Sequence, residues 1–228
     1  MKYYLGGYYL MQLRPHPGTQ PGEWRYIYTC SSCINVNCYD PCLDDAREIS
    51  ALPDEEERAQ HEKWEQQSGS GTPFVEISLQ PVFSSLEAVR RYKDEHFAKK
   101  KELAVLGLFF SEAEHTRLID TFGPAASEIA QFGQIGLRKN LRRRIPEDDT
   151  GRELGYDLIG IENTGDLHTF HCNLTERFLQ EQFGLKINRW GLIGHCAGWE
   201  PIMRFCNENE GEGVEPVPWF YAKVKLFE

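Results

Sequence analysis

Aromatic and polar side chains alternate in two segments near the start of the chain, residues 2–12 and 23–29. Alternation with a period of two places the apolar side chains on one face of a β-strand. The sequence HPGTQPGE lies between the two segments, and its proline and glycine residues favour a reversal of the chain. The pattern therefore predicts a β-hairpin at the beginning of the fold.

Strand and helix patterns follow one another through the middle of the chain. A short strand is predicted at Phe74–Leu79, and the continuous apolar run Leu103–Phe110 is typical of a buried strand. Helices are predicted at residues 84–99, 111–122 and 126–143. The first two begin with serine, which caps the free N–H groups of a helix N-terminus.

The last third of the chain has the clearest pattern. Tyr156–Ile161 and Leu167–Cys172 read as two strands joined by a turn at residues 163–166. Two helices should follow, one over residues 173–183 with Gly184 as its C-terminal stop, and one over residues 199–206. The tail PWFYAKVKLF alternates apolar and polar positions, which predicts a final strand that closes the sheet.

These elements define the predicted fold class and its division into parts. Strands and helices mix without a regular βαβ order, which favours an α+β fold: a mainly antiparallel sheet with several packed helices. Residues 44–67 are strongly charged and have too few apolar positions for a full helical stripe, and SGSGTP at 68–73 has the composition of a connector. We expect an N-terminal part, residues 1–67, and an α+β core, residues 73–228, or one continuous domain formed by both.

Composition and charge narrow the class of protein. The formal net charge is −10, and 40% of the residues are hydrophobic, which is enough for a sizeable core. An acidic balance disfavours a protein whose main task is to grip phosphate backbones, because such proteins carry a basic surface. No run approaches the roughly 20 apolar residues of a membrane-spanning helix, and the first residues lack the features of a signal peptide. We expect a soluble, cytoplasmic protein with no membrane partner.

Four of the seven cysteines form the pattern C-x2-C-x4-C-x3-C, which is the strongest chemical motif in the sequence; they are Cys30, Cys33, Cys38 and Cys42. Four thiolates in a short loop suit a tetrahedral zinc ion, and without an export signal metal-bound thiols are favoured over disulfides. The spacing resembles a zinc knuckle with cysteine in place of histidine. Because four thiolates leave no open coordination position, the zinc cofactor is expected to be structural.

Two alternatives to zinc stay open. Bacterial ferredoxins bind iron–sulfur clusters with shorter internal spacing and with proline after the last cysteine, whereas Pro41 precedes Cys42 here. The other alternative is four reduced or disulfide-bonded thiols with no metal. No lysine or arginine lies between the four cysteines and acidic residues follow them, so a nucleic-acid partner is a minor hypothesis.

A second group of metal-ligating or nucleophilic side chains lies in the last third: His168, His171, Cys172, His195 and Cys196. They could converge as a second metal site or as a cysteine–histidine nucleophile pair. Their spacing matches no protease or oxidoreductase signature, and free cysteine is among the most buried residue types. We therefore interpret them as core residues.

Charged side chains also form local groups. A basic group spans Arg138, Lys139, Arg142, Arg143 and Arg144. An acidic loop contains Glu208, Glu210, Glu212 and Glu215 and is followed by Trp219 and Phe220. Carboxylates beside exposed aromatic side chains suit an interface with a basic protein, so this loop, including Trp219, is the predicted partner-binding site. A solvated loop with no partner is the competing interpretation.

Two passages resemble a known class of proteins. The sequences GYDLIGIENTGDLHTFHCN and EPVPWFYAKVKL, in the final third, are similar to bacterial proteins encoded beside secreted antibacterial toxins. The resemblance implies an immunity role in bacterial competition: a non-enzymatic protein that binds and neutralises a cognate toxin. Nuclease toxins are basic around their substrate groove, so an acidic immunity protein would block that groove.

Two other functions remain as hypotheses. A zinc-containing nucleic-acid-binding or regulatory factor would use the cysteine loop and the basic group at residues 138–144. An enzyme would need a histidine of the last third to meet a thiol of lowered pKa in a pocket. The immunity protein is the leading interpretation.

Overall fold

An antiparallel β-sheet forms the centre of the fold in the computed structural model. The model describes residues 1–14, 25–26, 33–34, 83, 85–97, 103–122, 140–161, 167–170, 175–186, 188–194, 198–208, 214 and 216–228. Within these residues the sheet has five main strands, which are β1 (Tyr3–Arg14), β4 (Leu103–Ser111), β5 (Arg152–Ile161), β6 (Leu167–Thr169) and β7 (Trp219–Phe227). Two-residue strands, β2 (Arg25–Tyr26) and β3 (Cys33–Ile34), extend its edges, and the strand order is β2-β1-β4-β7-β5-β6-β3.

Four helices that are described over their whole length accompany the sheet, and residues 140–143 are also helical; the four are α1 (Leu86–Phe97), α2 (Glu112–Phe122), α3 (Thr175–Phe183) and α4 (Glu200–Glu208). The predicted serine caps are confirmed, because Ser85 Oγ accepts from Ala88 N at 3.2 Å and Ser111 Oγ accepts from Glu114 N at 3.3 Å. Gly184 ends α3 as predicted, with a φ of +61°. No helix in these ranges is long and apolar enough to cross a membrane.

The predicted strand pairings are confirmed at both ends of the sheet. The first hairpin pairs Leu13 with Tyr26, and β5 pairs with β6 so that Ile161 faces Leu167. These pairs and the helices confirm the α+β class with a mainly antiparallel sheet. The predicted strand at residues 74–79 and residues 126–139 of the predicted helix over 126–143 lie outside the described residues, whereas residues 140–143 are helical as predicted.

The position of the last strand differs from the prediction. β7 lies in the middle of the sheet, between β4 and β5, so the expectation that the tail closes the sheet is wrong. Eight of its nine residues are buried, because helices and the connection at residues 147–151 cover its faces. On one face Phe220 packs against Phe122 of α2, and on the other Trp219 packs in a cluster with Leu179 of α3 and Ile202 of α4.

β7 also extends past the end of β4, and side chains take over the pairing there. Glu114 of α2 accepts from the backbone N–H of Tyr221 at 3.1 Å, and Arg117 donates to the carbonyl of Trp219. Asn207 of α4 accepts from the N–H of Trp219 at 2.9 Å. These side chains replace a neighbouring strand, because buried backbone groups must keep hydrogen-bond partners.

The N-terminal strand belongs to the same sheet as the C-terminal core. β1 pairs with β4 from Tyr3 to Gln12, so the sheet joins residues from both of the parts expected from sequence. The outer edge of β1 is covered: Leu5 N donates to Ile145 O, and Tyr8 forms a bridge with Phe83. Covering an edge in this way prevents pairing with another chain.

A short connection at residues 147–151 leads from this edge to β5. It begins where Glu147 N donates to Tyr3 O, and it ends at Gly151, where a Cβ would lie 2.5 Å from the ring of Phe227. Because β4 and β7 separate β1 from β5, the connection passes over the sheet face that carries Lys225 and Phe227. This crossing segment covers one part of that face, and α3 and α4 cover another part.

Candidate partner-binding surface

One of the four predicted zinc ligands has a described position. Cys33 lies in β3, whose backbone pairs with His168 of β6 at the edge of the sheet. Cys30, Cys38 and Cys42 lie outside the described residues. In the described residues no three His, Cys, Asp or Glu side chains group as metal ligands, and the zinc site stays a prediction.

The acidic loop is described at its beginning only. Glu208 is exposed at the end of α4, and Glu210, Glu212 and Glu215 lie outside the described residues. Trp219 and Phe220 are fully buried, so the expectation of exposed aromatic side chains beside the loop is wrong. Both belong to the central strand β7, and a buried Trp219 is a core residue that does not present a surface to a partner.

One member of the histidine and cysteine group, His168, is described, and it is buried, as the interpretation of a core residue predicts. His168 is buried in β6, and His171, Cys172, His195 and Cys196 lie outside the described residues. The other cysteine of this region, Cys206, is buried in α4, and burial raises the pKa of its thiol to about 12. A thiol with so high a pKa is protonated at neutral pH and is a poor nucleophile.

In the basic group at residues 138–144, the described arginines differ in their contacts. Arg142 and Arg143 are exposed, whereas Arg144 pairs with Glu112 at 3.0 Å and donates to the Tyr4 hydroxyl at 2.8 Å. Two arginines therefore remain as a solvent-facing basic patch in this part of the described structure.

Between α4 and the crossing segment, four aromatic side chains lie half-buried on one face of the sheet. We call them the aromatic cluster: Tyr3 of β1, Tyr156 of β5, Tyr221 of β7, and Trp199 just before α4. Trp199 stacks flat on Tyr221, with ring centroids 4.7 Å apart and planes 7° apart, and its centroid lies 5.4 Å from that of Tyr156. The hydroxyl oxygens of Tyr3 and Tyr156 are 3.3 Å apart, at hydrogen-bond distance.

Two buried lysines and two glutamates border the aromatic cluster. The Nζ of Lys223 lies 3.8 Å from the centroid of the Tyr3 ring and 3.1 Å from a carboxylate oxygen of Glu147. Lys225 Nζ is also 3.1 Å from Glu147 and donates to the carbonyl of Asp148 at 2.6 Å. These contacts fix the crossing segment to β7, and they make Glu147 a partner of buried lysines instead of a free surface anion.

Of the four charged side chains in this border, the most exposed is the carboxylate of Glu153. The side chains of Lys223 and Lys225 are 11% and 6% exposed, whereas Glu153, which lies 3.5 Å from Lys223, is 52% exposed. Asp149 is exposed in the crossing segment. The ammonium groups therefore lie inside the fold, and carboxylates face the solvent beside the aromatic cluster.

Tyr156 and Tyr221 of the cluster are neutral hydrogen-bonding groups at physiological pH. Burial raises the pKa of Tyr156 far above its ordinary value, and the hydrogen bond to Tyr3 and the nearby carboxylates of Glu153 and Glu147 raise that pKa further. Burial also raises the pKa of Tyr221. A half-exposed set of tyrosines with tryptophan and outward carboxylates has the composition of a protein-recognition site.

Sequence reasoning did not find this cluster. Its members come from four distant positions, and only the fold brings them together. The single local signal is the alternation of Tyr221, Lys223 and Lys225 in the tail, which places those side chains on one face of a strand.

Comparisons with known proteins identify no relative: no family model, no curated protein and no solved structure matches this chain.

Proposed function

We propose that this chain is a non-enzymatic immunity protein that binds and neutralises a cognate antibacterial toxin. The observation that carries the proposal is the half-buried aromatic cluster with carboxylates facing the solvent beside it. Tyrosine and tryptophan are the residues that most often dominate binding energy at protein interfaces. Outward carboxylates complement a basic partner, and a nuclease-type toxin is such a partner.

The distribution of charge supports the same partner. Residues 44–66 contain nine acidic and three basic side chains, and the acidic loop continues from exposed Glu208 through Glu210, Glu212 and Glu215. A net charge of −10 speeds the approach of a cationic protein and increases the salt dependence of binding. By this proposal, the acidic loop or the stretch 44–66 occupies the place of nucleic acid on the toxin.

The resemblance to immunity proteins falls on strands that build the sheet. Its passages contain β6 and most of β5 and β7, which carry Tyr156 and Tyr221 of the aromatic cluster. The similar residues thus supply both the core and part of the proposed binding surface.

Charge reversal tests the acidic loop directly. A variant with lysine at Glu208, Glu210, Glu212 and Glu215 should bind the co-encoded toxin at least tenfold more weakly than the unmodified chain. A matched variant with lysine at Glu87, Asp94, Asp120 and Glu181, all on other helices, controls for net charge. If the loop variant binds as tightly as the unmodified chain, the loop is not the interface.

The zinc site is proposed as a structural part of this protein. Zinc held by Cys30, Cys33, Cys38 and Cys42 would close the loop at the sheet edge where the backbone of β3 pairs with β6. Elemental analysis of protein purified without chelator should find one zinc per chain. A metal-free preparation with full stability would contradict this part of the proposal.

A nucleic-acid-binding factor is the second candidate function, and the exposed pair Arg142 and Arg143 favours it. Binding through such side chains weakens steeply as salt rises, because phosphate contacts release counterions. Retention on heparin that disappears in the variant Arg142→Glu with Arg143→Glu would support this candidate. Passage through heparin at low salt would leave the acidic interface as the better explanation.

A further inference from the structure

The aromatic cluster has the features of a receptor for one particular kind of side chain. Trp199 and Tyr221 form a flat stacked pair, and Tyr156 lies tilted against Trp199. Aromatic faces attract cations, and a planar guanidinium stacks on them better than a compact ammonium does. The fold already uses this contact elsewhere, since the guanidinium of Arg117 lies 4.1 Å from the centroid of Phe220.

The border of the cluster supplies the complementary charge. Glu153 is half-exposed, and Lys223, its nearest cation, is paired more closely with Glu147. An arriving guanidinium can therefore form a charge-assisted hydrogen bond with Glu153 while its plane lies against the aromatic side chains. The hydroxyl oxygens of Tyr3 and Tyr156, which lie 3.3 Å apart, add acceptors within the same cluster.

We infer that the aromatic cluster is the docking position for an arginine side chain of the toxin, held by stacking near Trp199 and by pairing with Glu153. This inference rests on the proposed function, because it names the contact through which the basic partner is recognised. The docked arginine and the acidic loop affect different steps of binding. The loop speeds association by long-range attraction, whereas a buried arginine slows dissociation.

Two substitutions test the position in the complex with the toxin. Trp199→Leu keeps an apolar side chain but removes the aromatic face, and Glu153→Gln removes the charge at a half-exposed position. Each should weaken toxin binding at least tenfold, with most of the change in the dissociation rate. Trp190→Leu is the matched control, because Trp190 is also half-buried but lies beside Arg152 and Arg189, and it should change binding less than twofold.

A second measurement uses small probes and does not need the toxin. The peptides acetyl-Gly-Arg-Gly-amide and acetyl-Gly-Lys-Gly-amide are titrated into the ¹⁵N-labelled chain, and the indole N–H signal of Trp199 is followed by NMR. The arginine peptide should shift this signal, and the lysine peptide should shift it at least threefold less. Glu153→Gln should reduce the response, and Trp190 should not respond.

The outcomes separate the two proposals. If the toxin binds but Trp199→Leu and Glu153→Gln match the Trp190→Leu control, the arginine position is wrong and the immunity function stands. If no toxin binds but the arginine peptide shifts Trp199 selectively, the docking position stands and the immunity function fails. Equal shifts by both peptides, or no shift, would overturn the arginine position.

Discussion

Replacing Glu147 by glutamine removes the negative charge that lies between two buried ammonium groups. Lys223 and Lys225 both lie 3.1 Å from the same carboxylate oxygen, and their side chains are 11% and 6% exposed. After the substitution Lys223 keeps Glu153 at 3.5 Å, and Lys225 keeps the carbonyl of Asp148. The crossing segment would then be fixed to β7 by neutral contacts, because the remaining ion pair of Lys223 is with Glu153 of β5.

The loss follows from the burial of the two lysines. Removing one partner of a buried ion pair costs about 3–5 kcal/mol, because the remaining charge is left without compensation. Since Glu147 is 18% exposed and both lysines keep one other contact, we expect Glu147→Gln to lower the free energy of unfolding by about 3 kcal/mol. If the free energy of unfolding falls by about 2 kcal/mol per molar urea, the urea concentration at the unfolding midpoint should fall by roughly 1.5 M.

Two matched variants isolate the effect of the buried charge. Glu153→Gln removes a carboxylate that is 52% exposed and should cost less than about 1 kcal/mol. Adding Lys225→Met to Glu147→Gln removes an unpaired buried ammonium and should recover about 1 kcal/mol or more. Urea unfolding of the four proteins decides the point. If Glu147→Gln costs no more than Glu153→Gln, the buried charge network does not hold the crossing segment.

Three further predictions concern single positions. Gly155→Ala should destabilise the fold by about 1–3 kcal/mol in urea unfolding, because Gly155 has a φ of +145° and a Cβ there would lie 2.8 Å from the carbonyl oxygen of Ile193. Cys206 should resist iodoacetamide at pH 8 in the folded protein and react in urea, as mass spectrometry would show, because burial raises its pKa to about 12. The Thr150 hydroxyl lowers the pKa of Asp148, so Thr150→Val should raise that pKa in an NMR titration. Because the folded-state pKa of Asp148 is lowered, its carboxylate stabilises the fold above the ordinary carboxylate pKa, and this stabilisation is lost as the pH falls through the lowered value. In Thr150→Val the pKa difference between the folded and unfolded states is smaller, so less stability should be lost on acidification.

Local chemistry explains which elements the sequence predicted well. The caps at Ser85 and Ser111 and the stop at Gly184 depend on contacts within one helical turn, so their signals lie side by side in the sequence. The run Leu103–Phe110 is apolar at every position but Gly107, which is typical of a strand covered on both faces. These elements lie where the pattern placed them.

The strand order of the sheet and the burial of the C-terminal strand depend on residues that are distant in sequence. The local alternation of apolar and polar residues carries no information about those contacts. The alternation of Lys223 and Lys225 suggests a strand with one face in water, but the crossing segment covers both lysines and Glu147 neutralises them. Trp219 was predicted to be exposed beside the acidic loop, but α3 and α4 cover it. Such contacts follow from topology, which local hydrophobic periodicity does not determine.

The candidate surface was predictable only in part, because contacts between residues distant in sequence form it. Charge and composition indicated a basic protein partner, and no structural observation was needed for that hypothesis. The aromatic cluster joins Tyr3 to Tyr156 across the sheet, and only the pairing of β1, β4, β7 and β5 brings these side chains together. The cysteine loop stays a prediction, because Cys33 alone of its four residues has a described position.

Co-purification with the products of neighbouring genes tests the immunity proposal most directly. The tagged chain is co-expressed with those genes, bound proteins are identified, and their toxicity is measured with and without the chain. The proposal predicts a stoichiometric complex with a toxic, basic protein whose activity is abolished in the complex. Recovery of the chain alone or with nucleic acid, while the neighbouring toxin stays active in its presence, would contradict it.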